Sequence, residues 1–181
     1  MYIAEQLKKK SVAEYLLYMW QVEDTLRAYG LDAEKMAMEY IPQFGLDEAK
    51  SESLKGWYES LIQMMREEGV TEKGHLQVNK NIIILLTDLH AQLLKSSKHP
   101  FYSAAYYKAL PFIVELRAKS AESQEKNEIE NCFDALYGTM LLRAQKKDIS
   151  AETATAIDNI AKFIGMLSDY YQKDKAGEVE F

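Results

Sequence analysis

The stretch Leu76–Leu94, LQVNKNIIILLTDLHAQLL, constrains the fold more than any other part of the chain. At about 100° per residue, Gln77, Asn81, Asp88, Gln92 and Lys95 gather on one side of a helix. Leu76, Val78, Ile82, Ile83, Leu85, Leu86, Leu89, Leu93 and Leu94 fill most of the remaining circumference. A helix apolar around most of its girth is normally enclosed by other helices. The segment at about 76–96 is therefore expected to be the buried centre of a bundle. Asn79 and His90 fall inside the apolar arc, where an unpaired polar group is costly. They lie roughly 16 Å apart along the helix axis at its standard rise, so they pose two separate questions rather than one site. Asp88, despite its closeness to His90 in sequence, belongs to the wet side.

The rest of the chain reads in the same way. Ser11 and Glu14 have capping-box spacing ahead of a stripe of Tyr15, Met19, Val22, Leu26 and Tyr29 that stops at Gly30. Asp32 can cap a short helix that Pro42 discourages, and Asp47 starts another that Gly69 ends. After His99-Pro100 comes a helix with Tyr102, Tyr106, Ala109, Ile113 and Leu116 on one face, and Pro111 within it predicts a kink. Lys119–Asn127 reads as polar loop. Ile129, Phe133, Leu136 and Met140 then mark a sixth helix, and Ser150 caps a seventh. Only 8 Gly and 3 Pro occur in 181 residues, and no long alternating run suggests strands. The expectation is an all-α, single-domain bundle of six or seven helices over residues 1–173, with a charged, frayed tail at 174–181.

The formal charge of −6 and a single short basic run, Lys8–Lys10, argue against a nucleic-acid partner, because phosphate binding needs a basic face. Cys132 is the lone cysteine, so an internal disulfide is impossible and a reducing, cytoplasmic setting is the natural expectation. Lys8–Lys10 before VAEYLLYMWQV loosely has the form of a signal peptide. Glu14, Gln21, Glu23 and Asp24 interrupt it, and no small-residue cleavage site follows. No segment reaches the ~18 unbroken apolar residues of a membrane span, so no membrane partner is expected.

Few residues are candidates for chemistry. His90 reads first as a neutral core imidazole bonded to a carbonyl, a Tyr or a carboxylate from another helix. Its functional alternative is a ligand-facing or general-base group in an internal cavity. His75 lies one turn before Asn79 on the same face, so the two could line a pocket at the helix start; otherwise Asn79 organises the loop. Glu23 and Arg27 have the spacing of a surface ion pair. Arg117 and Arg143 stand among apolar residues near helix C-termini, where they snorkel to water or, alternatively, hold an anion or a carboxylate.

Catalytic patterns fail one by one. A di-metal carboxylate bundle needs two Glu-x-x-His motifs, and Glu72-Lys73-Gly74-His75 is a single copy across a glycine. Glu122, Glu125 and Glu128 lack the Glu-x-x-Asp that completes a magnesium-binding pyrophosphohydrolase set. His90 with Lys95 lacks the exposed imidazole of a phosphotransfer domain. No nucleophile elbow, phosphate-cradling glycine loop or zinc cluster is present in the sequence. No cofactor or metal is implied.

Several strings taken together carry a resemblance: AEYLLYMWQVEDTLRAY, WYESLIQMMREEGVTEKGHLQVNKN, LLTDLHAQLLKS, YSAAYYKALPFIVELRAK and CFDALYGTMLLRAQKKDIS. They resemble an uncharacterised family of roughly 180-residue helical proteins from Bacteroidetes, classed as a domain of unknown function. The likeness covers nearly the whole chain and implies a single helical domain from a bacterial cytoplasm. It implies no activity and no site residue. The function expected first is that of a non-catalytic protein acting through a protein partner or as a homodimer, with twelve Tyr available for an interface. The alternative is a small-ligand binder or enzyme with an internal polar pocket near His90 or His75/Asn79.

Overall fold

Local signals start most of the helices where the sequence places them. In the computed structural model, which describes residues 2–119 and 121–181, Ser11 accepts a hydrogen bond from Glu14 N–H at 3.3 Å and opens α2, Val12–Ala28. Asp32 accepts from Lys35 N–H and opens α3, Ala33–Glu39, and Asp47 accepts from Lys50 N–H and opens α4, Glu48–Glu67. Asn127 caps α8, Glu128–Ala144, and Ser150 caps α9, Ala151–Lys175. A 3-10 turn, Ile41–Phe44, follows α3 at Pro42. Between α4 and α8 run α5, Gln77–Lys95, α6, Pro100–Ala118, and the five-residue α7, Ala121–Glu125.

The described residues therefore form nine α-helices and no strand, an all-α fold with more helices than the six or seven expected. The two additions have a physical explanation. Tyr2–Lys10 is a separate α1 because Ser11 is extended, at φ −154° and ψ 113°. Among its described side chains Ala4 is the one buried apolar residue, so the segment carries no apolar stripe to mark it. The polar stretch read as loop contains α7, which buries none of its residues and so leaves no periodic trace. α6 continues through Pro111, whose position is exposed.

α5 has the expected span, and it packs against α6, α8 and α9. Its enclosure is one-sided. Ile82, Ile83, Leu86, Leu89 and Leu93 are buried, while Val78, Ile84 and Leu85 are 42 %, 52 % and 52 % exposed. α2 is wrapped more fully: nine of its 17 residues are buried against seven of 19 in α5. α9 shares the central role, contacting α2, α5, α6 and α8 with a stripe of Ile157, Ile160, Phe163, Ile164, Leu167 and Tyr171. Ser168 within that stripe accepts from Ala13 N–H at 3.3 Å and meets Ser11 Oγ at 3.2 Å, stitching α9 to the start of α2.

The residues of the chain end meet Lys98 and His99, just ahead of α6. Glu180 accepts from His99 Nε2 through its carbonyl at 2.9 Å and from Lys98 Nζ through its carboxylate at 3.3 Å. Phe181 sits edge-on to the His99 ring. Among the described residues no helix is long and apolar enough to cross a membrane.

Candidate functional site

α5 begins without a cap of its own. Leu76 precedes it and offers no side-chain acceptor, yet the first amides of a helix need partners. Two remote carboxylates supply them: Leu76 N–H donates to Glu23 Oε1 at 3.1 Å, and Gln77 N–H donates to Glu68 Oε2 at 2.6 Å. Negative charge at a helix N-terminus also suits the helix dipole.

Glu23 has no exposed surface. A buried carboxylate persists only where donors surround it, and three do. Besides Leu76 N–H, Asn79 Nδ2 donates to Oε1 at 2.7 Å and His75 Nδ1 donates to Oε2 at 2.6 Å. The pairing of Glu23 with Arg27 expected from their spacing is thus not made. α2 is buried on the Glu23 side, and Arg27 turns instead to Asp24 at 2.7 Å and to the carbonyls of Val70, at 3.0 Å, and Gly74. Arg27 and Glu23 together clasp the segment between α4 and α5 onto α2. Asp24 is held from the far side by Tyr137 Oη at 2.7 Å.

Trp20 lies one turn before Glu23 and is 2 % exposed. Its indole stacks on the His75 ring, with centroids 3.9 Å apart and planes within 10°, while Phe133 and Tyr137 meet it edge-on. Three groups around Glu23 are buried without a partner among the described residues: Trp20 Nε1, Arg27 Nε and Asn79 Oδ1. His75 Nε2, the ring nitrogen not committed to Glu23, also makes no hydrogen bond there.

Beside the stacked rings is a cavity of about 220 Å³, walled by Trp20, His75, Ile83 and Ile84 and edged by Lys80, Asn127 and Glu130. The arrangement presents an aromatic wall, an aliphatic wall, one cation, one carboxylate and an imidazole nitrogen without a partner. It can hold a small ligand with an apolar body and a polar head.

The other sequence candidates lie elsewhere. Asn79 sits behind His75, spent on Glu23 rather than on the cavity or the loop backbone. His90 is 8 % exposed, and its Nδ1 is 2.6 Å from Tyr102 Oη. Tyr106 and Phe163 stand edge-on at 4.7 and 5.4 Å. Burial pushes its pKa below the usual imidazole value, against a weaker opposing pull from Glu128. It is a neutral core residue at pH 7, well away from the cavity wall. Arg143 is exposed in the last turn of α8 and makes no side-chain hydrogen bond or ion pair among the described residues. Its place among apolar residues in the sequence was misleading, because that end of α8 faces solvent. Arg117 is half-buried and pairs with Glu128 at 3.7 Å, which also accepts from Tyr106 Oη.

Trp20 and Glu23 are the site residues that sequence reasoning missed. Both were visible only as departures from the α2 stripe of Tyr15, Met19, Val22 and Leu26, on a second face that is also buried. No group of three or more His, Cys, Asp or Glu among the described residues could hold a metal ion. A family model described as a domain of unknown function, DUF4924, matches residues 1–178. No curated protein and no solved structure matches the chain.

Proposed function

The chain belongs to this family of unknown function, and on that premise we propose that it is a non-catalytic small-ligand-binding protein whose site is the cavity beside Trp20 and His75. One observation carries the reading. The His75 ring is held by the Trp20 stack on one face and by buried Glu23 at Nδ1, its second nitrogen makes no hydrogen bond among the described residues, and the residue lines a cavity. Rings held in this way are preorganised, which lowers the entropic cost of binding. Lys80 and Glu130 at the mouth select a head group, and Ile83 with Ile84 accept an apolar body. The reducing setting implied by a lone, buried Cys132 supports placing this activity in the cytoplasm.

The test uses benzoate, benzylamine and phenylalanine, which share one apolar body and differ in head charge. Titration of each into the protein, followed by the NMR signals of the His75 ring, is expected to give a saturable shift with at least one. His75→Ala, followed by calorimetry with the ligand that shifts the parent's ring signals, is expected to abolish that binding. No shift with any of the three would sink the proposal.

A second reading, self-association into a homodimer, is favoured by one face of α6. Phe101, Tyr107 and Val114 are 82 %, 63 % and 57 % exposed, Ala104 and Pro111 fill the stripe between them, and Ala118 extends it. Lys108 and Glu115, both exposed, flank Pro111 on the same face. Antiparallel apposition of two copies about a two-fold near Pro111 brings each lysine towards the other copy's glutamate. Light scattering is expected to give a dimer that Tyr107→Asp dissociates; a strict monomer at high concentration overturns this second reading.

A further inference from the structure

A second enclosure, remote from His75, has aromatic rings for half of its lining. Tyr18 comes from α2, Tyr58 from α4, Tyr40 from the end of α3, and Phe44 from the 3-10 turn; Ile3, Gln21, Val22 and Thr25 complete the wall of a cavity of about 190 Å³. Tyr40 stands edge-on to Phe44, with centroids at 5.1 Å and planes at 89°, and 6.3 Å from Tyr58. Tyr58 is 3 % exposed and anchors the floor, while Phe44, 45 % exposed, stands at the opening.

Lysines of this chain cover tyrosine rings at Tyr15, Tyr29, Tyr170 and Tyr171, but among the described residues none covers a ring of this enclosure. The enclosure is electron-rich and holds no cation of its own.

The lining also selects among ligands. It contains no Lys or Arg, so an anion finds no counter-charge. It contains no Asp or Glu, so a compact, strongly hydrated ammonium would lose its water without gaining a carboxylate. Burial pushes the Tyr18 and Tyr58 hydroxyls above their ordinary range, which keeps these phenols neutral. A neutral apolar group and a weakly hydrated cation both fit such a lining, and of the two the cation gains attraction from aromatic rings that the neutral group does not.

We propose that Tyr18, Tyr40, Phe44 and Tyr58 form an aromatic cage for a methylated ammonium group, of the kind carried by a quaternary amine. The site is independent of the Trp20–His75 cavity and stands or falls without it.

Choline is the probe, its uncharged isostere 3,3-dimethylbutan-1-ol the control, and ammonium chloride the second control. Binding is read by calorimetry and by the NMR signals of the Tyr40 ring. Choline is expected to bind about tenfold more tightly than the neutral isostere, the value of roughly one well-formed cation–ring contact at a desolvated site. Ammonium is expected to give no saturable signal. Tyr40→Leu is expected to weaken choline binding by a similar factor, and His75→Ala to leave it unchanged. Phe44→Leu, at an exposed position, provides the same measurement if Tyr40→Leu disturbs folding. Equal binding of choline and the alcohol makes the enclosure a plain apolar cavity and overturns the proposal. So does the absence of choline binding at millimolar concentration.

Discussion

Glu23 is a charged side chain without exposed surface, and the three N–H groups around it determine what its removal does. Glu23→Ala leaves the donors of His75, Leu76 and Asn79 facing a void. The expected loss is about 3 kcal/mol, the usual scale for uncompensated buried donors and broken buried pairs. Arg143→Ala, at an exposed helix end, is expected to stay within about 0.5 kcal/mol. Urea unfolding of the two variants beside the parent checks both values. His90 gives a pH-dependent counterpart. Its pKa is lowered in the folded state, so below the ordinary imidazole value of 6.5 the unfolded chain binds the extra proton first. Stability is expected to be flat above about pH 6.5 on this account and to fall as the pH drops below it. Measured against pH, that limb of the curve should be shallower in His90→Phe. A core position for His90 was legible because an isolated histidine in an apolar arc has few other fates, but which partner it takes, a carbonyl, a Tyr or a carboxylate, was not. The partner of Asn79 was not legible either, because Glu23 lies 56 positions away and looks like half of a surface pair with Arg27.

Among the elements, α5 shows how far an apolar pattern can be trusted. Its span was legible, since a run of Ile and Leu at helical spacing allows little else. Its burial was overstated: Ile84 and Leu85 are about half exposed, and a wheel drawn from hydrophobicity cannot tell an enclosed apolar face from an uncovered one. The difference is measurable. Leu86→Ala is expected to cost about 2–5 kcal/mol, as for other fully buried leucines, whereas Leu85→Gln should cost no more than about 0.5 kcal/mol. Comparable losses from both, by thermal or urea unfolding, would mean that something encloses α5 on its outer face. The caps divide in the same way. Ser11, Asp32, Asp47 and Ser150 are local and were readable, whereas the carboxylates at the start of α5 come from α2 and the end of α4. No rule about neighbouring residues finds those.

Across the molecule, one apolar core joins residues from Ala4 to Tyr171, and Cys132 sits inside it with no exposed surface. Burial, with a smaller contribution from Glu128, also pushes its thiol well above the ordinary range, so the reactive thiolate is suppressed twice over. A thiol reagent such as DTNB is expected to label Cys132 only through unfolding. Its rate should rise with urea in step with the global transition, and labelling much faster than that would reveal a local opening at α8. The helical class and the single core were legible because apolar spacing reports which faces are buried. Which faces meet was not legible, because α2, α8 and α9 touch through residues far apart in the chain.

The borrowed caps of α5 have a consequence for the order of events in folding. Most helices here carry their own start signal and can begin wherever chance nucleates them. The first turn of α5 cannot, since the acceptor for Leu76 arrives with a segment 53 residues earlier. The middle of α5 can form its ladder locally, but its beginning is completed only when α2 docks. The wall of the Trp20–His75 cavity is therefore completed in the same step that brings α2 against the start of α5.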